Sequence, residues 1–179
     1  AAVLMAMRST DKGVTWSQPI VVAQVQSRGA TDPESGTSIR DGANLGSIAA
    51  GRNGRIAMVW QDSRFSGGQR DGIAYSQSTD GGLTWSTPVQ LNQAPAVQAF
   101  VPTVHIRDDG TIGVTYYDLR NNTTAPTILA DYWLVQSADG VTWTETHVAG
   151  PIDYATAPDA RGLFLGDYIG LTSIGTTFV

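Results

Sequence analysis

Short stretches of alternating apolar and polar residues, separated by turn residues, run through the whole chain. A period of two with Gly, Asn or Asp between the stretches is typical of β-strands joined by tight turns. No helix of useful length is predicted. The pattern predicts two sets of four strands, named A to D in chain order: A at 45–50 and 101–106, B at 56–60 and 112–117, C at 73–77 and 132–136, and D at 89–91 and 144–148.

Both ends of the chain carry parts of the same set. Residues 3–7 are predicted as a strand C, and 166–173 and 176–179 as strands A and B. A recurring four-stranded sheet is the blade of a β-propeller, and propellers usually have roughly four to eight blades. We therefore expect the remaining blades to come from a further segment or from a second copy of the chain. The predicted division is a half blade at 1–24, blades at 44–91 and 100–149, and a half blade at 163–179.

One turn motif, Ser-x-Asp-x-Gly-x-Thr-Trp, follows each predicted strand C, and we call it the box. Its three aspartates are 69 and 59 residues apart, and the third copy is one residue shorter. The aspartate can accept hydrogen bonds from its own turn, glycine supplies the positive φ, and the tryptophan suits packing against neighbouring strands. We interpret the boxes as structural. Their defining residues are Ser9, Asp11, Gly13, Trp16, Ser78, Asp80, Gly82, Trp85, Ser137, Asp139, Gly140 and Trp143.

Composition narrows the classes of function. The net charge of −5 argues against nucleic-acid binding, which needs a basic surface. The absence of cysteine excludes a disulfide framework and a thiolate metal site. No apolar stretch is long enough to span a membrane. Of the 11 basic residues only Lys12 is a lysine, so the cations are almost all guanidinium groups, which suit forked recognition of carboxylates.

Strand order divides the turns between two sides of the predicted sheets. In an A-B-C-D meander the A–B turns and the boxes share one side, the box side, while the B–C and D–A connections share the other, the loop side. Sites form most often on long loops held by a rigid scaffold. The loop side carries most of the arginines, in loops at 25–44, 62–71, 92–100, 118–131 and 150–165.

Candidate site residues lie in these loops or directly beside them. Asp62/Arg64 and Asp118/Arg120 recur in both full blades, which favours an ion pair between neighbouring blades, although both arginines stay candidates for substrate binding. Unduplicated residues are stronger candidates, and these are Glu34, Arg40, Tyr117, Arg161, Asp167 and Tyr168. The alternatives are solvated loop charges for the two arginines, and turn capping and strand packing for Asp167 and Tyr168.

The boxes resemble the BNR (Asp-box) repeats of sialidases. The segments 59–68, 116–120 and 161–171 are similar to bacterial sialidase-like proteins. The resemblance covers nearly the whole chain and implies a six-bladed β-propeller, of which this would be roughly the later half. Sialidases hold the substrate carboxylate with three arginines and use a tyrosine nucleophile assisted by a glutamate, with an aspartate as acid and base. The Arg-Ile-Pro motif of the first arginine and the early aspartate segment do not occur here.

The resemblance implies a glycoside hydrolase acting on terminal acidic sugars. The alternatives are a non-catalytic propeller that binds glycans or protein partners, and hydrolysis of another sugar, because fold does not fix substrate. The chemistry requires no metal or cofactor, and Asp108-Asp109-Gly110 lacks the spacing of a recognised Ca²⁺ loop. Acidic glycans lie outside bacterial cells, so a secreted or periplasmic address is expected. The candidate catalytic residues are Tyr117, Asp167 and Glu34, and the candidate substrate-binding residues are Arg40, Arg64, Arg120, Arg161 and Tyr168.

Overall fold

The computed structural model describes residues 2–179, apart from the side chain of Asn53. Its regular structure is almost entirely β, with single 3₁₀ turns at Arg52–Gly54, Arg64–Ser66 and Tyr154–Thr156. The strands are β1 (Ala2–Ala6), β2 (Ile20–Val25), β3 (Ser47–Ala50), β4 (Ile56–Asp62), β5 (Gly72–Ser78), β6 (Val89–Gln90), β7 (Ala99–Ile106), β8 (Ile112–Asp118), β9 (Leu129–Ser137), β10 (Thr144–Asp153), β11 (Ser173–Ile174) and β12 (Thr177–Phe178).

The strands form two antiparallel meanders and two terminal hairpins. The four-stranded sheets have the orders β3-β4-β5-β6 and β7-β8-β9-β10, and β1-β2 and β11-β12 pair at the ends. The all-β prediction is therefore confirmed, and each predicted set of strands A to D overlaps one meander. Closure into a six-bladed ring, and the grouping of these sheets into blades of one domain, stay predictions.

Two predicted boundaries differ from the structure. The stretch 166–173 was expected to be a strand, but pairing is confined to the end of it, where Thr172 and Val179 exchange backbone hydrogen bonds of 2.9 Å. Gly166 has a φ of +132°, which is incompatible with an extended strand at that position. In the other direction, β10 continues to Asp153 through two register irregularities, so it includes the start of the predicted loop 150–165.

The main core lies between the two meanders. Val59 and Ile73 of the first sheet pack with Ile112, Val114 and other apolar residues of the second, and these four side chains are fully buried. Burying an aliphatic side chain of this size stabilises the fold by about 1.5–3 kcal/mol. Because a single sheet would leave one apolar face in water, packing of sheet on sheet is what makes each meander stable.

Each box aspartate is the acceptor that closes its own turn. In the second box, Asp80 accepts hydrogen bonds from the backbone N–H groups of Leu83 and Thr84 at 3.0 Å and from the Thr84 hydroxyl at 2.6 Å. In the first box, the Thr15 hydroxyl is the main cause that lowers the pKa of Asp11 from 3.8 to about 2. These carboxylates are therefore fully engaged within their turns.

The box tryptophans do not all pack alike. Trp143 contacts Tyr75 of the neighbouring sheet edge to face, with ring centroids 5.0 Å apart. Trp85 packs against the cluster around Val22 and Trp60. Trp16 is 58% exposed, and its indole N–H donates to the Gly13 carbonyl at 3.1 Å.

The predicted ion pairs between neighbouring blades are wrong. Arg64 pairs with Asp62 of its own sheet at 2.7 Å. Arg120 pairs with Asp118 at 2.6 Å and with Glu145 at 2.7 Å, again within one sheet. The arginine follows the aspartate by only two residues and folds back over the strand end, so the nearest carboxylate is its own neighbour.

An arginine on the box side makes the contact between sheets instead. Arg55, in the turn after β3, donates hydrogen bonds to the carbonyls of Ala138 at 3.0 Å, Gly110 at 3.3 Å and Asp139, all in turns of the other meander. A Cβ on the box residue Gly140 would lie 3.0 Å from the Arg55 guanidinium. The guanidinium therefore links the two sheets through backbone carbonyls.

Substitution of Arg55 tests this link, and Arg52 in the same turn is a matched control. Arg55→Ala leaves three carbonyls without their charged donor, so we expect the free energy of unfolding to fall by about 2 kcal/mol or more. Arg52 pairs only with Asp108, and the two side chains are 72% and 84% exposed. Arg52→Ala should therefore change stability by no more than about 0.5 kcal/mol. Urea unfolding measures both, and equal losses would contradict the assignment.

The box also predicts a dependence of stability on pH. Because the pKa of Asp11 is lower in the folded chain than its ordinary 3.8, its ionised form stabilises the fold above pH 3.8, and that contribution disappears as the pH falls towards 2. Asp11→Asn removes this titration. We expect the midpoint of urea unfolding to depend less steeply on pH between 4 and 2 in the variant than in the wild type. Identical slopes would show that Asp11 does not titrate with folding.

Candidate functional site

One long loop organises the loop side. The segment 26–44 folds into a small hairpin through a bridge between Thr31 and Ser38, and Ile39 bridges in parallel to Leu163. Backbone hydrogen bonds from Arg40 to Leu163 (3.0 Å) and from Leu163 to Ser38 (2.9 Å) join it to the loop before β11. This segment therefore crosses from the first four-stranded sheet to the C-terminal part of the chain.

Two buried carboxylates, Asp71 and the segment's own Asp41, accept hydrogen bonds that fix the conformation of the segment. Asp71, which is fully buried, accepts hydrogen bonds from the Ser27 hydroxyl (2.6 Å) and from the backbone N–H groups of Arg28 (2.8 Å) and Gly29 (2.9 Å). Carboxylates that accept several backbone N–H groups fix a loop strongly, because the buried donors have no water to replace them. The conformation of residues 27–29 is therefore set by Asp71.

Asp41 is the second of these carboxylates. It accepts from the backbone of Ala30 at 2.5 Å and from the side-chain amide of Gln61 at 2.7 Å, and the Gln61 carbonyl in turn accepts the Val101 N–H at 3.0 Å. Burial raises the pKa of Asp41, and the nearby charge of Asp71 adds to this shift. A carboxyl group that keeps its proton to higher pH is suited to act as an acid.

Three arginines surround a cavity of about 460 Å³, which we call the arginine cleft. Arg28, Arg40 and Arg161 line it, together with Asp41 and Asp167. Since Asp41 and Asp167 are the carboxylates among the lining residues, guanidinium groups outnumber carboxylates in a protein that is acidic overall. The lining of the cleft therefore carries one more guanidinium group than carboxylates.

Arg40 is held in place by three contacts. Its guanidinium donates to Asp167 at 3.0 Å and to the Ala160 carbonyl at 3.2 Å, and it lies 4.3 Å from the centroid of the Phe164 ring. Its side chain is still 41% exposed. An arginine fixed in this way loses little conformational entropy when it binds a carboxylate.

Arg161 reaches the cleft from a strained position. Its φ is +68°, and Asp159 holds the turn by accepting its N–H at 3.0 Å. Val101, with a φ of +52°, lines a smaller cavity of about 130 Å³ that also contains Asp41, Asp167 and Tyr168. Residues other than glycine adopt positive φ at a cost of about 1–3 kcal/mol, and such strain concentrates at functional sites.

The structure thus brings together four of the residues predicted from sequence. Arg40, Arg161 and Asp167 line the arginine cleft, and Asp167 and Tyr168 line the smaller cavity beside it. Sequence reasoning missed Arg28 and Asp41 as site residues. The density of arginine and aspartate in the loop 25–44 was a signal for them, but nothing in the sequence distinguishes Asp41 from the other aspartates.

The other predicted residues lie elsewhere. Tyr117 packs in an aromatic cluster, 4.7 Å from Tyr132 and 5.8 Å from Phe100 between ring centroids, and burial raises its pKa. Glu34 lines a separate cavity of about 550 Å³. Arg64 and Arg120 are occupied by the carboxylates of their own sheets.

The described residues also bear on metal binding and on membrane crossing. Residues 2–179 contain no group of three or more His, Cys, Asp or Glu side chains placed to hold a metal ion. No helix in the part of the chain that the structure describes is long and apolar enough to cross a membrane.

Comparison with known proteins gives matches among solved structures alone. No protein-family model and no curated protein matches the chain. An α-L-arabinanase of Penicillium chrysogenum, complexed with arabinobiose, matches with a TM-score of 0.51 and 16% identity over 82% of this chain and 40% of its own. A GH93 α-L-arabinofuranosidase of Fusarium graminearum matches with 0.51 and 14% over 84% and 42%. The Hadza microbial sialidase Hz136 matches with 0.45 and 18% over 75% and 31%.

At these identities the likeness shows the fold alone. The chain has part of a sialidase-like β-propeller fold, as the resemblance of the boxes implied, and this fold is shared with glycoside hydrolases of more than one specificity. The chain spans less than half the length of these structures.

Replacing Arg161 should separate stability from binding. Arg161→Gly removes the steric cost of the positive φ, whereas Arg161→Ala keeps that cost. We therefore expect the glycine variant to be the more stable of the two by about 1 kcal/mol. Both variants remove the guanidinium and should weaken anion binding equally. Thermal unfolding and a binding titration measure the two effects. An alanine variant as stable as the glycine variant would show that the turn is not strained.

Proposed function

We propose that this chain forms part of a sialidase-like glycoside hydrolase that holds the carboxylate of a terminal acidic sugar in the arginine cleft. The observation that carries the proposal is the convergence of Arg28, Arg40 and Arg161 on one cavity. A guanidinium group binds a carboxylate through two parallel charge-assisted hydrogen bonds. Several such groups around one cleft favour a ligand with a localised negative charge over a neutral sugar.

The environment of Arg40 supports binding without large rearrangement. Asp167 and the Phe164 ring already orient its guanidinium, while Arg161 is exposed and free to approach a ligand. In the proposed complex the ligand carboxylate binds the Arg40 guanidinium beside Asp167. Arg161 then supplies the positive charge that balances the ligand carboxylate. This predicts an affinity that falls with salt concentration, since part of the interaction is exposed.

The two carboxyl groups of the cleft support hydrolysis. Glycosidases commonly use one carboxyl group as an acid and a second, ionised one as base or nucleophile, with environments that separate their pKa values. Burial raises the pKa of Asp41, whereas Asp167 forms an ion pair with Arg40. In the proposed reaction Asp41 gives its proton to the leaving glycosidic oxygen, and Asp167 activates the attacking water.

A second candidate function is binding of acidic glycans without cleavage. It is favoured by the surroundings of Tyr117, because its ring packs among Phe100, Tyr132 and Tyr154 and is not among the residues that line the arginine cleft. Both functions use the same guanidinium groups. We further propose that the protein acts on glycans outside the cell, in a secreted or periplasmic setting.

Binding of N-acetylneuraminic acid and of its methyl ester tests the shared part of both functions. The ester removes only the negative charge, so we expect the free acid to bind at least about tenfold more tightly, a difference of about 1.4 kcal/mol. Arg40→Ala should abolish this preference. Arg52→Ala, which removes the same charge from the box side, should not. Calorimetric titration of the wild type and of both variants with each ligand measures these affinities, and equal affinities of the wild type for acid and ester would overturn the proposal.

Turnover of a fluorogenic α-sialoside then separates the two functions. Release of the fluorophore by the intact protein supports hydrolysis. Asp41→Asn keeps a side-chain oxygen that can accept the Ala30 N–H, so this variant should lose turnover and still bind the free acid. Binding of the acid with no turnover supports the non-catalytic function.

A further inference from the structure

Arg70 carries an unsatisfied hydrogen-bond donor on the loop side. Its Nε is buried and has no hydrogen-bond partner within residues 2–179. The ion pairs that the structure describes all involve other basic residues. Arg64, in the same loop, contrasts with it, because the Arg64 guanidinium is engaged by Asp62.

A buried donor without a partner destabilises a fold. The cost is larger when the unsatisfied group belongs to a charged side chain. Buried polar groups in native proteins nearly always have a partner, so each exception calls for a bound water, ion or ligand.

The surroundings of Arg70 fit an anionic sugar. Arg70 lines a cavity of about 330 Å³, at the lower end of the range of volumes for small-molecule sites. Thr31, Gln69 and Gln98 offer hydroxyl and amide groups on the wall, and Val97 and Leu119 supply apolar contacts. No acidic side chain is among the lining residues, so the charge of Arg70 is not neutralised there.

The cavity adjoins the arginine cleft. Thr31 lines both cavities, and Gly29 and Ala30 line the cleft directly before it in the chain. The Gln98 amide donates to the Gly29 carbonyl at 3.0 Å, which ties the wall between the two cavities to the second meander. The two cavities therefore share Thr31 as a wall residue, and a ligand that occupies both has to pass over it.

We propose that the cavity at Arg70 is a second anionic subsite, which takes the carboxylate of an acidic sugar next to the one held in the arginine cleft. The preferred ligand is then an oligosaccharide with at least two acidic sugars in succession. The part that concerns the first sugar rests on the proposed function, whereas the subsite at Arg70 rests on its own unsatisfied donor and cavity.

Comparison of N-acetylneuraminic acid with its α2,8-linked dimer and trimer tests the subsite by calorimetry. Once one sugar of an oligomer is bound in the arginine cleft, binding of a second sugar at Arg70 is intramolecular. Whichever of the dimer and trimer binds more tightly should therefore bind the wild type at least about tenfold more tightly than the monomer. Arg70→Met should reduce oligomer affinity to that of the monomer and leave monomer affinity unchanged. Gln69→Ala, an exposed neighbour on the same wall, should keep most of the gain. Oligomers that bind no better than the monomer, or an Arg70→Met variant that keeps the gain, would overturn the proposal.

The stability of Arg70→Met provides an independent check. Methionine keeps the length of the side chain and removes the unsatisfied donor, so the variant should unfold at the same urea concentration as the wild type or at a higher one. A clear loss of stability would mean that Arg70 has a structural partner, which contradicts the proposal.

A last measurement distinguishes failure of this subsite from failure of the arginine cleft. In protein labelled with ¹⁵N-arginine, the Nε–H resonance of Arg70 should shift when the dimer is added, and in the Arg40→Ala variant it should still shift at higher concentration. Shifts at Arg40 without shifts at Arg70 would contradict the subsite alone. Shifts at Arg70 without shifts at Arg40 would contradict the proposed cleft alone.

Glucose 6-sulfate, added in a separate titration, shows whether a sulfate ester replaces the carboxylate at Arg70. Tighter binding of glucose 6-sulfate than of the dimer at Arg70 would overturn the assignment to a carboxylate.

Discussion

Hydrogen bonds from the segment 26–44 to two buried carboxylates determine the shape of the loop side. Asp71 accepts the N–H groups of Arg28 and Gly29, and Asp41 accepts that of Ala30. These acceptors add to the backbone hydrogen bonds with Leu163 and to the burial of Ala30 and Ile39, which hold the rest of the segment. Arg28, Arg40 and Thr31 all lie on this segment, so both cavities of the loop side depend on it.

The polar groups on the box side and on the loop side differ in how fully they are hydrogen-bonded. On the box side, the box aspartates accept the N–H groups of their own turns and Arg55 donates to carbonyls of the neighbouring sheet, although the buried indole N–H of Trp85 has no partner among the described residues. On the loop side, guanidinium groups remain partly exposed or unsatisfied, as Arg40 and Arg70 show. The first arrangement stabilises the fold, and the second leaves binding capacity for an anion.

The sequence predicted the strands well because their signals are local. Alternation of apolar residues and repetition of the box follow directly from strand geometry and turn chemistry. The strand predicted at 166–173 was too long because the positive φ of Gly166 is not visible in the apolar pattern. Repetition of Asp-x-Arg correctly indicated structural residues, but not which carboxylate each arginine would contact, since a contact two residues away competes with one across the sheets.

Part of the candidate site was predicted, because the order of the strands follows from these local signals. Strand order alone assigned Arg40, Arg161 and Asp167 to one side, and the structure brings them to one cleft. Asp41 and Arg70 could not be singled out, because burial and the lack of a partner depend on how separate loops pack together. Tyr117 was chosen because it is not duplicated between the predicted blades, whereas its ring packs with Phe100 and Tyr132 of the neighbouring strands and with Tyr154.

Hydrogen exchange of the amides of Arg28, Gly29 and Ala30 tests the central claim most directly. If Asp71 and Asp41 fix the segment 26–44, these three amides should exchange as slowly as those in the middle of β4, although they lie in a loop. Exchange at the rate of an unstructured chain would contradict the account, because the cavities lined by Arg28 and Thr31 would then lack the rigid wall on which both proposed sites depend.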